Sequence, residues 1–78
     1  MKTWQFYLVL EETELSDRDC DSLYEAGCDD GTVVTRDGVT YIAFDREAES
    51  LEVAIRSATG QVKATGFEVA RVEMDAMV

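Results

Sequence analysis

The sequence of 78 residues contains no histidine, no proline and no asparagine. Without histidine, the chain lacks the side chain that most often transfers protons near neutral pH and the most common metal ligand. Its two cysteines, Cys20 and Cys28, are too few for a disulfide framework, and their spacing matches no zinc-binding pattern. We therefore expect two reduced thiols, no bound metal and no cofactor.

Long apolar runs are also absent from the sequence. The longest one is far shorter than the roughly 20 residues that a membrane-spanning helix needs. The first five residues enter a strand pattern directly and lack the basic segment, the apolar segment and the cleavage site of a signal peptide. We therefore expect a cytoplasmic protein that forms a single domain over residues 1–78.

Basic residues are scarce, since seven Lys or Arg stand against seventeen Asp or Glu and give a formal net charge of −10. Nine of the acids lie between Glu11 and Asp30, together with one base, Arg18. Nucleic-acid binding depends on cationic side chains that neutralise phosphates, so we expect no direct binding of DNA or RNA. An acidic surface favours a basic protein partner, although it also serves solubility alone.

Period-two apolar patterns predict four strands, over residues 4–10, 32–36, 39–45 and 67–75. Asp37-Gly38 between two β-rich runs predicts a two-residue type I′ hairpin in which Val34 faces Tyr41. The last strand has mixed patterning, which a bulge near Arg71 would reconcile. Residues 46–49 are expected to connect the third strand to the helix that follows.

Two helices are predicted between these strands. Ser16 is a good N-cap for the first helix, and Gly27 supplies its left-handed end. Ser50 caps the second helix, which ends at Gly66. The second helix has one narrow apolar stripe, formed by Leu51, Ala54, Ile55, Ala58 and Val62.

The order β-α-β-β-α-β predicts an α+β protein with the ferredoxin-like fold, in which two helices cover one face of a four-stranded antiparallel sheet. The first and third strands lie in the centre of that fold, and here they are the two most apolar strands. The edge strands are expected to be short or charged, as with Glu68, Arg71 and Glu73, which would limit edge-to-edge aggregation.

The other face of the predicted sheet would carry no helix. An exposed apolar patch usually marks an interface, and two-fold homodimers are the most common oligomers. We therefore predict a homodimer through this open face; the alternative is a monomer on which these side chains are merely half-exposed. RNA-recognition domains stack bases on aromatic residues at such positions, but the acidity opposes that use. The predicted interface residues are Tyr7, Val9, Val34, Val39 and Tyr41.

The acidic segment is predicted to form a rim that a basic partner would contact. Its residues are Glu11, Glu12, Glu14, Asp17, Asp21, Asp29 and Asp30.

Calcium binding and catalysis find little support in the sequence. The spacing of Asp17, Asp19 and Asp21 is that of a calcium loop, but Ser22 and Cys28 stand where a glycine and a glutamate are needed. Cys20 has no histidine partner and lies among acids, which raise the pKa of a thiol. We therefore predict no catalytic residue and expect that the protein is not an enzyme.

Two segments carry a resemblance to a known group of proteins. Residues 23–30 read L-Y-E-A-G-C-D-D, and residues 44–55 read F-D-R-E-A-E-S-L-E-V-A-I. The chain resembles an uncharacterised family of small bacterial proteins that carry both motifs at this separation, and the similarity extends from Phe6 to Glu73. Some members look fused to a helix-turn-helix segment and are labelled regulators or antitoxins. The family has no established activity, and the resemblance assigns no functional residue.

These observations lead to two hypotheses about function. The first is a non-enzymatic protein-interaction module, such as an acidic antitoxin or an inhibitor of a basic effector, that dimerises through the open face. The alternative is a small-molecule-sensing regulatory domain of the same fold. The ligand of such a domain would bind near the loop from Glu11 to Leu15, where the acids favour a cation or an amine over an anion.

Overall fold

The computed structural model describes residues 2–12 and 14–74. Within these ranges, the strands form a four-stranded antiparallel sheet in the order β2-β3-β1-β4, accompanied by two helices. The protein is therefore α+β, and the predicted order of elements is confirmed. The elements are β1 (Lys2–Leu10), α1 (Asp17–Glu25), β2 (Gly31–Arg36), β3 (Val39–Ala48), α2 (Leu51–Ala64) and β4 (Val69–Glu73).

The core lies between the helices and the even-numbered residues of the two central strands. Phe6 and Leu8 of β1 lie opposite Phe44 and Ile42 of β3, and all four side chains are buried. The rings of Phe6 and Phe44 stack with their centroids 5.3 Å apart. Both helices pack on this face, because Leu23 of α1 belongs to the same buried cluster as three residues of α2, which are Ala54, Ala58 and Val62.

The helices begin and end where the sequence predicts. The Ser16 hydroxyl accepts a hydrogen bond from the Asp19 N–H at 3.1 Å, and the Asp19 carboxylate accepts one from the Ser16 N–H at 3.0 Å. This reciprocal pair is a capping box. Ser50 caps α2 through its hydroxyl. Gly27 and Gly66 follow the two helices with φ angles of 111° and 97°, which residues with a Cβ rarely adopt.

The hairpin between β2 and β3 has the predicted turn. Asp37 and Gly38 have φ angles of 53° and 77°, so both lie in the left-handed region that a type I′ turn requires. Val34 lies opposite Tyr41, as predicted. The turn and the alternation of side chains therefore agree on one register.

The last strand is shorter than the predicted 67–75, and residue 75 lies outside the described residues. Its register with β1 shifts between Val9 and Leu10, which leaves Ala70 as an extra residue. This is the bulge that mixed patterning predicts near Arg71.

The two edges of the sheet differ in how they are protected. β4 is short, bulged and charged, as expected for an edge strand. β2 is also an edge, but its residues 32–35 read Thr-Val-Val-Thr and carry no charge. β2 meets the expectation through its length of six residues and through Arg36 at its hairpin end.

Candidate functional site: the open sheet face and the acidic helix side

The face of the sheet opposite the helices brings together all five predicted interface residues, and four of them are at least partly exposed. Tyr7 and Tyr41 lie diagonally across β1 and β3, with their ring centroids 5.6 Å apart and an interplanar angle of 83°. This edge-to-face arrangement is a favourable one for aromatic pairs. Val34 lies directly opposite Tyr41, and Val39 is 41% exposed at the hairpin end of β3. We call these four residues the open-face patch.

Val9 differs from the prediction because it is only 5% exposed. It lies in a central strand, directly between Tyr41 of β3 and Arg71 of β4. Larger side chains on both sides leave a valine in that position little contact with solvent. Val9 therefore supports the patch from within, and the sequence overestimated its exposure because it does not show which neighbours flank a strand.

Ala43 also belongs to this surface, although it is not one of the five predicted interface residues. Ala43 is half-buried and lies directly opposite Tyr7, so it continues the apolar surface between the strands. Period-two alternation from Tyr41 predicts this position on the open face.

Charges on the open face nearly cancel. Two arginines and three carboxylates occupy its outward strand positions, which gives a net charge of −1, although the whole chain carries −10. The Arg71 Nε donates to a Glu73 carboxylate oxygen at 2.6 Å. Most of the negative charge therefore lies elsewhere on the molecule. The charged residues of this face are Arg36, Arg71, Asp45, Glu47 and Glu73.

The predicted acidic rim lies on α1 and on the segments that flank it. Leu23 anchors α1 to the core on the helix-covered face, so this acidic side is separated from the open-face patch by the sheet itself. Glu12 is half-buried, and one of its carboxylate oxygens is buried without a hydrogen-bond partner among the described residues. The exposed members of the rim are Glu11, Glu14, Asp17, Asp21 and Asp29.

Asp30 belongs to the predicted rim but is engaged in an internal ion pair with Arg46. The Arg46 Nε and Nη2 each donate to one oxygen of the Asp30 carboxylate at 2.8 Å. The sequence placed Arg46 in the connection before α2, but β3 continues to Ala48 and turns the Arg46 side chain toward the helices. A bidentate pair of this kind is among the strongest side-chain interactions, and it stabilises the longer strand.

Arg46 makes further contacts that join several elements. Its guanidinium donates to the Ser57 hydroxyl and to the Gly27 carbonyl, each at 3.0 Å. It also lies over the Phe44 ring, 5.0 Å from the ring centroid. The hydrogen bond with Asp30 raises the pKa of Arg46, and burial opposes that effect. Arg46 therefore holds together the turn after α1, the start of β2, and α2.

The same ion pair joins residues 23–30 to residues 44–55, the two segments on which the expected resemblance rested. Asp30 ends the segment of residues 23–30, and Arg46 lies in the segment of residues 44–55. A structural role accounts for these two motif residues. The sequence held a signal for this pair, an arginine inside an otherwise acidic segment, but 16 positions separate its members.

A groove with a volume of about 400 Å³ lies between α1 and the edge strand β2. Its apolar wall includes Leu23, Val33 and Ile42, and Asp21 stands at its border. Both cysteines also line this groove. The sequence did not predict the groove, because it depends on how far the helix stands from the sheet edge.

The two cysteines are free thiols, as expected. Burial raises the pKa of Cys28, and the nearby Arg46 opposes this only in part. Burial raises the pKa of Cys20 as well, followed by the repulsive effect of Asp17 and its acidic neighbours. Both thiols are therefore protonated near neutral pH, which makes them weak nucleophiles.

Within residues 2–12 and 14–74, no group of three or more histidine, cysteine or acidic side chains is placed to hold a metal ion. In the same part of the chain, neither helix combines the length and the apolar character needed to cross a membrane. Comparison of the chain with protein-family models, with characterised proteins and with solved structures finds no match. Function therefore has to be inferred from geometry and charge.

Proposed function

We propose that the fold is ferredoxin-like and that the chain is a non-enzymatic protein-interaction module. The strand order β2-β3-β1-β4 supports the fold proposal, because it places β1 and β3 in the centre. The common core of α1, α2 and the sheet supports it further, since two split β-α-β units place both helices on one face.

The first proposed interaction is a homodimer through the open-face patch. The observation that carries it is the Tyr7–Tyr41 pair on a sheet face with almost no net charge. A second copy can approach this face with little repulsion, unlike the acidic helix side. The two longer dimensions of the molecule, 32 and 29 Å, limit any flat face to about 900 Å², so a standard interface of roughly 800 Å² per partner would occupy nearly all of the open face.

The second proposed interaction is with a basic protein at the acidic helix side. A dimer formed through the open face would leave α1 and its flanking segments exposed on the outside of both copies. Their carboxylates would attract a basic partner and make association fast and sensitive to salt. An antitoxin or an inhibitor of a basic effector is the concrete form of this proposal.

The dimer is tested by sedimentation equilibrium of the Tyr41→Glu variant. We expect the native chain to sediment as two copies and the variant as one, because a charge would be buried in an apolar interface. Tyr24→Glu is the matched control, since Tyr24 is exposed on α1 and lies outside the open-face patch. An unchanged mass for Tyr41→Glu would show that the dimer surface is wrong, and a monomeric native chain would remove the dimer altogether.

The basic partner is tested by native mass spectrometry of the tagged chain after incubation in a lysate of its own host at low salt. Neutralising Glu14, Asp21 and Asp29 together as amides should abolish capture of a basic protein, and high salt should weaken it. The matched control neutralises three exposed acids outside the rim, which are Glu49, Glu52 and Glu68. Capture that is insensitive to salt, or equally lost in both variants, would contradict the proposal.

A small-molecule sensor is the second candidate, and the groove beside α1 is the observation that favours it. Its volume of about 400 Å³ lies within the range of small-ligand sites. The position of Asp21 at its border favours a cation or an amine. A thermal-shift screen with small amines tests this candidate, and a melting temperature that no amine changes would end it.

A further inference from the structure

β2 has one side to which no strand is paired within the described part of the chain. The two-residue hairpin starts from a hydrogen-bonded pair at the strand ends, so the even-numbered residues of β2 bond to β3. The bond from the Asp45 N–H to the Asp30 carbonyl, 3.1 Å long, follows the same alternation. The backbone N–H and C=O groups of Val33 and Thr35 therefore point toward the outer edge.

Residues 32–35 of this outer edge carry none of the charges, prolines or bulges that usually prevent strand addition, and the one charged residue of β2, Arg36, lies at the hairpin end of the strand. Residues 32–35 are two threonines and two valines in regular register with β3. The opposite edge is different, because β4 carries Arg71 and Glu73 and a bulge. The β2 edge is therefore the one that suits an added strand.

The groove between α1 and β2 borders this edge. Side chains of a strand alternate between the two faces of the sheet, so every second side chain of an added strand would lie on the helix side. The apolar wall of Leu23, Val33 and Ile42 could take such a side chain. Backbone bonds to an edge strand, combined with a pocket for alternate side chains, are the two parts of peptide recognition by strand addition.

Charge distinguishes among the possible occupants of this site. α1 carries four acids and one base, Arg18, and its Asp21 borders the groove. The exposed Asp29 lies just before β2. A second copy of the chain would bring the same acidic helix close to its own image, whereas a basic segment would be attracted.

We propose that the outer edge of β2 and the groove beside α1 together bind an extended basic segment of a partner protein. The segment joins the sheet as a further strand, places an apolar side chain in the groove and directs lysines or arginines toward α1. This inference rests on the proposed interaction with a basic protein and specifies how that partner is held.

The test is an amide NMR titration of the full ¹⁵N-labelled chain with a capped peptide, Lys-Val-Lys-Leu-Lys-Val-Lys. We expect the largest shifts at Val33 and Thr35 and at the groove residues, and slower amide exchange at those two positions. Two N-methylated versions of the peptide provide matched probes. Alternate backbone N–H groups of a strand point to opposite edges, so each version has lost the hydrogen-bond donors of one edge only. One version should bind at least about tenfold more weakly than the other.

Three variants of the protein complete the test. Asp21→Lys should weaken binding of the peptide by at least about fivefold, whereas Glu49→Lys, the same charge change away from the groove, should alter it by less than about twofold. Tyr41→Glu should leave peptide binding unchanged, because it alters only the open-face patch. These expectations separate the β2 site from the proposed dimer interface.

Several results would overturn the strand-addition proposal. These are shifts centred on the open-face patch, equal binding of both methylated peptides, equal binding of lysine amide alone, or no binding at millimolar peptide. If the amides of residues 32–35 already exchange slowly in the free protein, and more slowly at higher protein concentration, the edge would be assigned to a second copy of the chain. If a basic partner is captured but causes no amide chemical-shift changes at Val33 and Thr35, strand addition is overturned, while the proposed interaction with a basic protein still stands.

Discussion

Replacement of Arg46 by alanine should lower the free energy of unfolding by about 3 kcal/mol. Arg46 is 7% exposed, and its guanidinium donates four hydrogen bonds, two of them to the Asp30 carboxylate. Removal of one partner from a buried ion pair costs about 3–5 kcal/mol, because the remaining charge loses its compensation. The Asp30 side chain is 29% exposed, so water can partly replace the lost guanidinium, and the lower end of that range applies.

The expected loss is a large part of the stability of a domain of this size. At about 0.05–0.15 kcal/mol per residue, 78 residues correspond to roughly 4–12 kcal/mol in total. In a small domain, a loss of 3 kcal/mol corresponds to a fall in melting temperature of roughly 12–24 °C. The measurement is urea unfolding followed by circular dichroism, with thermal unfolding as a second observable.

Arg56→Ala is the matched control. Arg56 forms an ion pair with Glu52 at 2.6 Å, but both side chains are exposed. Such a pair contributes only about 0.3–0.5 kcal/mol, so the control should unfold almost like the native chain. A loss in Arg46→Ala that lies within about 1 kcal/mol of the control would refute the reasoning.

A double-mutant cycle isolates the ion pair from the other contacts of Arg46. Asp30→Ala and the combined Asp30→Ala/Arg46→Ala variant should give a coupling energy of about 1–3 kcal/mol. Strict additivity of the two changes would mean that the bidentate bond contributes no stability of its own, even though the residues are in contact.

Two further predictions concern the glycines and the buried thiol. Gly31→Ala should destabilise the protein by about 1–3 kcal/mol, because a Cβ at this position would lie 2.7 Å from the Ile42 Cγ2 atom. Gly60→Ala should stabilise the protein by up to about 1 kcal/mol, because the position lies in the interior of α2 with open space around it. Equal changes in the free energy of unfolding of the two variants, measured in urea, would contradict both expectations. Stability should fall as the pH rises above about 9, the ordinary pKa of a thiol, because burial raises the folded-state pKa of Cys28 and the native state retains the proton. This stabilisation is complete below that pH and is lost as the pH passes through the folded-state pKa. Cys28→Ala should therefore make the free energy of unfolding depend less steeply on pH in this range. An unchanged pH dependence would argue against Cys28 as its source.

Local interactions explain why the elements could be predicted from the sequence. The Ser16 cap acts on a residue three positions away, and the Asp37-Gly38 turn joins adjacent strands. The bulge near Arg71 was also predictable, because a change of side-chain phase within one strand is visible without knowledge of its partner. The sequence therefore determined the order of the elements, the ends of the helices and the register of the hairpin.

The candidate surfaces were only partly predictable from the sequence. Alternation identified the outward positions of Tyr7 and Tyr41, but it could not show that the flanking side chains bury Val9. Composition located the negative charge on the segment from Glu11 to Asp30, but it could not separate the paired Asp30 from its exposed neighbours.

Tertiary structure decided the features that depend on distant parts of the chain. The Asp30–Arg46 ion pair joins positions 16 apart, and the Arg46 bond to Ser57 requires α2 to lie against β3. The groove beside α1 and the position of β2 at an edge of the sheet arise only once the helix and the strands are packed together. Caps, turns and alternation act within a few residues, so the sequence determined them by itself, whereas burial, ion pairing and exposed edges depend on which elements become neighbours in space.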